Sequence, residues 1–356
     1  MLGLISEVTI GIEIGVERLL LAEIKKKGGR YTLQRVAQAA IPSEVIVDGR
    51  IIQADTLGEL IRETMRAANM SSKNVHLVVP SQFVVIRQLQ LPDVPVKQLR
   101  KVIDFELQNS IHLPFEDTLF DFVKLDKTSA AADLNGIGMA AVHEAAAAAD
   151  GSLCDVMLIA STRAAIDPML QAARGARLKP QSVDIGALAL ARAYQKLGHA
   201  MADDTTMFVD VSEASTDIHI FHGEMLKFTR NVPMALDSYK MDRELSKPLH
   251  VLQILEYFQS NTDYRSFAND LAYEIERSMN FFRYTLNNRD AALTNLVLTG
   301  LLPKSGILSH YLIERFPGIA IGKMPFDDIL LAPEAAAVED SLSEYAVPIG
   351  LALKEV

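Results

Sequence analysis

Apolar residues recur at nearly every second position over residues 8–24 and again over 31–40, with the Gly28-Gly29 pair between them. Alternation of period two broken by paired glycines predicts two strands, a hairpin turn over 25–30 and a third strand. The period then lengthens. Leu57, Leu60, Ile61, Thr64, Met65 and Ala68 fall at spacings of three and four, one face of a helix capped by Asp55. Strands follow at 75–79 and 83–91. Leu99, Val102, Ile103, Leu107 and Ile111 form the stripe of a helix over about 96–111, which Pro114 stops. Residues 119–125 and 155–160 read as strands flanking an Ala-rich stretch, 128–153, with too few large apolar side chains to make core. That stretch is expected as a partly helical, mobile surface excursion. A helix after Thr162, a strand at 182–185 and a helix at 188–197 complete this half, and 198–204 reads as a linker.

The second half repeats the first in outline. A strand around Met207 ends in Asp210, a hairpin turns at His222-Gly223 between strands at 217–221 and 225–229, and a long helix is predicted over about 269–286. A strand at 295–299 then turns at Gly300. The echo is closest at two acidic strand ends, VTIGIEIG (Val8 to Gly15) and TMFVDVSEAST (Thr206 to Thr216). A strand that delivers a carboxylate to Mg²⁺ and its waters, followed by a small-residue turn whose N–H groups and hydroxyls close on phosphate, is how two related halves aim at one nucleotide. The pair predicts an α/β, two-domain actin-like (ribonuclease-H-like) fold. Both loops are depleted, however. Glu13 and Gly15 are followed by Val16 and Glu17 where a phosphate needs hydroxyls, and after Asp210 comes Ser212 in place of a permissive glycine, with Glu213 adding negative charge.

Composition narrows the function classes. A net charge of −10 leaves no basic footprint for nucleic acid or an anionic membrane surface. Cys154 is the single cysteine, so no disulfide framework exists and the residue is expected in core. Without a basic and apolar leader or an apolar run near ~18 residues, a cytoplasmic protein is expected. No catalytic or metal constellation emerges: His219 and His222 are three apart on a strand and so face opposite ways, and neither a Walker loop, a dinucleotide fingerprint nor a nucleophile elbow occurs.

Five collinear segments carry a family resemblance: IDFELQNSIHLPFEDTLFDFVKLD from Ile103, ARLKPQSVDIGALALARAY from Ala176, TTMFVDVSEASTDIHIFHGEMLKFTR from Thr205, LAYEIERSMNFFRY from Leu271 and YAVPIGLAL from Tyr345. Together they resemble the PilM family of actin-like type IV pilus assembly proteins; similarity to the cell-division protein FtsA extends to the architecture. The resemblance implies a first domain over 1–203, with a small α/β subdomain inserted at about 81–177, completed by a helix at 345–356, and a second domain over 204–344. It also implies ATP and Mg²⁺ in the interdomain cleft, and a groove beside the inserted subdomain for the cytoplasmic N-terminal peptide of the membrane protein PilN.

This chain departs from that pattern at the nucleotide. The family's first loop has an Asp, a Gly, three hydroxyl residues and then a Lys, matched here by Glu13, Gly15, Val16-Glu17-Arg18 and Leu20. The second loop's Gly falls on Ser212, and of the adenosine loop's glycines only Gly300 remains, before Leu301, Leu302 and Pro303. Each lost charged hydrogen bond forfeits ~1.5–3 kcal/mol, so three losses weaken binding more than about a thousandfold. Glu13, Gly15, Asp210, Ser212, Thr216 and Gly300 are therefore read as a vestigial nucleotide site, with no cofactor expected, and ATP with Mg²⁺ only if the loops remain competent.

What the inserted subdomain keeps is an apolar set. Val84, Ile86, Leu89, Leu113 and Phe115 are the candidate lining of a peptide groove, which needs a few exposed apolar side chains beside open strand edges. The expected function is a cytoplasmic scaffold of type IV pilus assembly, or of a related competence or secretion machine. It is recruited to the inner membrane face by a PilN-like single-span protein and works alongside other assembly components. One alternative is a working Mg-ATP-dependent actin-like ATPase using Glu13 and Asp210 for the metal, its nucleotide state tuning partner binding. A second is an FtsA-like filament former, disfavoured because residues 351–356 carry no basic amphipathic membrane helix.

Overall fold

Strands β1 (Glu7–Ile14), β2 (Arg18–Lys27) and β3 (Arg30–Ala40) form the expected meander, turned by Gly28 and Gly29 at positive φ. The computed structural model describes residues 7–125, 152–199, 201, 204–239, 251–286, 288, 291–302 and 305–355. The Ala-rich stretch expected over 128–153 lies outside these except for its last two residues. A two-residue ladder of β4 (Ile46–Val47) and β5 (Arg50–Ile51) precedes the helix Ala54–Ala67, which crosses over to β6 (Asn74–Val79), parallel to β1. That helix starts after Gln53, and Asp55 stands in its first turn, where a carboxylate meets the positive helix end without capping it.

The chain then leaves the sheet. β7 (Val85–Pro92), β8 (Thr118–Lys124) and β9 (Leu153–Thr162) make a separate antiparallel sheet in the order β7-β9-β8, backed by the helix Val96–Asn109. Leu91, Leu99, Ile103, Cys154, Val156 and Leu158 fill its core, which places the lone cysteine in packing. The helix Arg163–Gly175 carries the chain back to β10 (Lys179–Ile185), parallel to β6.

Strands β11 (Thr205–Val211), β12 (Thr216–His222), β13 (Met225–Val232), β14 (Asn295–Gly300) and β15 (Ala320–Lys323) repeat this plan. Their order, β13-β12-β11-β14-β15, matches β3-β2-β1-β6-β10 of the first sheet: two antiparallel pairings, then two parallel ones. The long helix predicted over 269–286 starts earlier, at Thr262, and follows a shorter helix, Val251–Ser260; it is regular to Asn280. Asn261 caps it two turns earlier by accepting from the Tyr264 amide at 2.8 Å, and Phe281–Thr285 opens into a wide π-turn. β16 (Leu330–Leu331) then pairs parallel to β3, joining the first sheet.

Each sheet buries one face under its own helices: Ile10, Ile12 and Leu77 against Leu57, Ile61 and Met169 in one half, Val209 and Leu298 against Phe267, Leu271 and Leu308 in the other. The remaining faces share one apolar cluster, in which Leu20, Ala22 and Val79 join Phe208, Phe221 and Val297 around the helices Gly186–Lys196 and Ala346–Ala352. All seven residues of Ala346–Ala352 are buried. Two glycines allow that depth, since a Cβ on Gly11 would run into the Pro348 carbonyl and one on Gly350 into the Ala189 carbonyl.

Charge fixes the helix as well. Arg192 donates through Nη1 to the Gly350 carbonyl (2.8 Å) and through Nη2 to Asp184 Oδ2 (2.8 Å), and Lys354 reaches the same oxygen at 2.9 Å. Burial alone would raise the Asp184 pKa, but the Arg192 and Lys354 cations outweigh it and hold the carboxyl below its usual value. A depressed folded pKa stabilises the protein above the unfolded pKa and is lost as pH falls through the folded one. Wild type should therefore be more stable than Asp184→Asn by a gap that is constant at neutral pH and closes only below about pH 4. Urea unfolding at several pH values measures this, and a gap independent of pH would show that the carboxylate charge contributes nothing.

Candidate functional site

The two acidic strand ends meet. Glu13 is the penultimate residue of β1 and Asp210 of β11, so the matching topology of the halves brings both carboxylates to one cleft. A cavity of about 160 Å³ there is lined by Glu13, Gly15, Asp210, Ser212, Asp217 and Asn231 among others; a smaller one of about 40 Å³ adds Arg18, Glu213, Gly300 and Glu344. Five of the residues predicted from sequence, Glu13, Gly15, Asp210, Ser212 and Gly300, thus line the cleft. Thr216 lies elsewhere: it pairs with Val211, is fully buried, and shares the face of β12 that carries Ile218 and Ile220 into the second sheet's own core. Asp217, opposite Asp210 in the ladder, is the β12 residue that faces the cleft. A one-residue shift reverses the face of a strand, and residue type alone does not mark it.

Acid dominates the cleft. Burial first, then the charges of Asp210, Glu213 and Asp217, push the Glu13 pKa well above that of a free carboxyl. Asp210 is raised to about 7 by burial, Asp217 and Glu213. Among the described residues the one cation lining the two cavities, Arg18, is engaged: its Nε ion-pairs with Glu213, its Nη1 donates to Glu344 Oε2 at 2.8 Å and to Gln38 Oε1 at 3.1 Å. Arg18 and Glu213 lie 195 residues apart, on opposite sides of the cleft.

The loop hydroxyls are spent as well. Ser212 donates to the Ser215 carbonyl (2.8 Å) and accepts from the Ser215 amide (3.2 Å), while Asn231 Nδ2 donates to Ser215 Oγ (3.0 Å) and Asp217 Oδ1 (2.7 Å). Gly300, at a φ of +81°, lies against the Val211 carbonyl and the Asp210 carboxylate. Among the described residues no cluster of three or more His, Cys, Asp or Glu side chains is arranged to hold a metal.

A larger cavity, about 420 Å³, opens between the inserted sheet and the second half. Val84, Val85, Ile86, Gln88, Leu125 and Met157 form one wall; Met225 to Thr229, Phe281, Leu286 and Asn288 form the other. β7 and β13, which border it, are edge strands of their sheets. Val84 and Ile86 among the predicted groove residues line this space. Leu89 packs into the inserted subdomain's own core, and Leu113 and Phe115, half-buried in the segment before β8, are not among the residues lining this cavity. The β13 wall was not found from sequence, where it read only as the return strand of a hairpin.

A family model described as type IV pilus assembly protein PilM matches residues 11–149 and 141–356. The chain belongs to the PilM family. Among solved structures, a chain of a PilM-PilN type IV pilus biogenesis complex is similar at a TM-score of 0.73 with 22% identity, over 97% of each chain. The ethanolamine utilization protein EutJ from Carboxydothermus hydrogenoformans is more distant, at a TM-score of 0.46 and 14% identity over 98% of this chain and 89% of that one. The fold is the two-domain actin-like one with a small inserted subdomain, as the paired acidic strand ends and the PilM resemblance predict. No helix among the described residues is long and apolar enough to cross a membrane.

Arg18 carries a test of the PilM-family cleft. Arg18→Met leaves Glu213, 6% exposed, without its counter-ion, and should cost ~3 kcal/mol in urea unfolding. Adding Glu213→Gln should restore most of that. An Arg18→Met protein as stable as wild type would remove the ion pair from any role in closing the cleft.

Proposed function

We propose that this PilM-family chain is a cytoplasmic scaffold of type IV pilus assembly that captures the N-terminal tail of a PilN-like membrane protein without nucleotide. The observation that carries the reading is the 420 Å³ groove between two sheet edges. Edge strands offer unpaired N–H and C=O groups to an extended peptide, and the Val84, Ile86, Met225 and Phe228 side chains offer apolar pockets to alternate residues of it. The solved PilM-PilN complex, with its overall similarity to this chain, supports the partner class.

The cleft is read as a vestigial nucleotide site. Ligand pockets commonly measure ~300–1,000 Å³, against about 160 Å³ here. A triphosphate would also face Glu13, Asp210, Glu213 and Asp217 with Arg18 already paired and the Ser212 and Ser215 hydroxyls already bonded. The residues do not fit a phosphate chain. A working Mg-ATPase keeps one favourable observation: Glu13, Asp210 and Asp217 all face the same cavity, where a divalent ion would relieve their mutual repulsion.

Calorimetric titration with Mg-ATP should show no binding at micromolar concentrations. A fluorescent peptide of the cognate PilN-like cytoplasmic tail should bind at micromolar affinity with or without ATP. Val84→Glu should weaken that binding at least about tenfold with circular dichroism unchanged, whereas Leu113→Asp should leave it intact. An ATP dissociation constant below ~10 μM would overturn the nucleotide reading, and no peptide binding at ~100 μM protein would overturn the scaffold reading.

A further inference from the structure

Among the described residues, Lys227 is the one charged residue in the lining of the 420 Å³ groove. It occupies an unusual position on β13. The ladder to β12 pairs Phe221 with Leu226 and Ile220 with Phe228, so Lys227 is the extra residue of a bulge on an edge strand. A bulge frees its extra residue from the ladder and re-aims its side chain, and such bulges gather beside functional surfaces. The re-aimed ammonium is half-buried among apolar neighbours. Among the described residues it makes no ion pair, and its hydrogen-bond acceptor is the Met225 thioether at 3.0 Å, a weak one. Burial holds its pKa below the usual lysine value, with Asp155 opposing the shift from beyond ion-pair distance.

We infer that the groove selects an occupant bearing a side-chain carboxylate, an Asp or Glu within the apolar tail, which ion-pairs with Lys227. This rests on the groove being the peptide site. An apolar groove with one desolvated cation is complementary to an extended segment in which one acid sits among apolar residues, and a neutral occupant would leave the cation covered and unpaired. Specificity comes from that penalty as much as from the ion pair itself. A lysine freed by a bulge can extend along the groove instead of pointing to solvent from the regular pleat, which is why a bulged position suits this task.

The experiment uses the full chain, the cognate tail peptide and a neutralised peptide with every Asp and Glu replaced by Asn and Gln. In fluorescence anisotropy the neutralised peptide should bind about tenfold more weakly to wild type. Lys227→Met should bind the native peptide about tenfold more weakly, and should not distinguish the two peptides. Lys227→Arg should retain most of the discrimination. The melting temperature of Lys227→Met should be unchanged or higher, since a half-buried charge has been removed, so lost binding reports on the groove and not on folding. If the native tail binds and is displaced by Val84→Glu, but the neutralised tail binds equally well or the tail contains no acid, the carboxylate inference fails while the scaffold reading stands. If neither peptide binds, both fail.

Discussion

The apolar contact between the two halves governs the rest of this structure. Two sheets of the same strand order could each close its own core and hinge freely, because interfaces between domains are commonly polar and mobile. Here Phe208, Phe221, Leu226 and Val297 of the second half lie in one cluster with Leu20, Ala22 and Val79 of the first, and the helix Ala346–Ala352 sits buried within it. Burying side chains of this size contributes ~1.5–3 kcal/mol each, and separating the halves would expose many of them together.

The cleft follows from that contact. With the halves held by their shared core, the ends of β1 and β11 stay close, and carboxylates that would otherwise repel are retained beside Arg18. The ion pairs of Arg18 with Glu213 and Glu344 tie the two sides of the cleft together. The same arrangement leaves β7 and β13 at the open edges of their sheets.

Much of this was legible in the sequence, for reasons that particular residues make clear. β1 and β11 are central strands covered on both faces, so VTIGIEI and MFVDV read as near-continuous apolar runs broken by one acid, and Glu13 and Asp210 stood out. The helix face of Leu57, Ile61 and Met65 was legible by period. Residue type places Thr216 at the cleft, but the ladder register puts Asp217 there instead. Leu113 and Phe115 resemble Val84 and Ile86 in kind and lie near them along the chain, but the second wall of the 420 Å³ cavity comes from residues 225–229, brought there by sheet order. The partners of Arg18 are likewise distant in sequence, and no local pattern points to them.

Hydrogen exchange of the helix Ala346–Ala352, compared with β1 and β11 and repeated with saturating Mg-ATP, tests the central claim directly. If one shared core joins the halves and no nucleotide closes the cleft, the helix amides and those of both central strands should exchange only through global unfolding, at the same free energy, and Mg-ATP should change none of them. Exchange of the helix at a distinctly lower free energy, or added protection of β1 and β11 by Mg-ATP, would contradict the account.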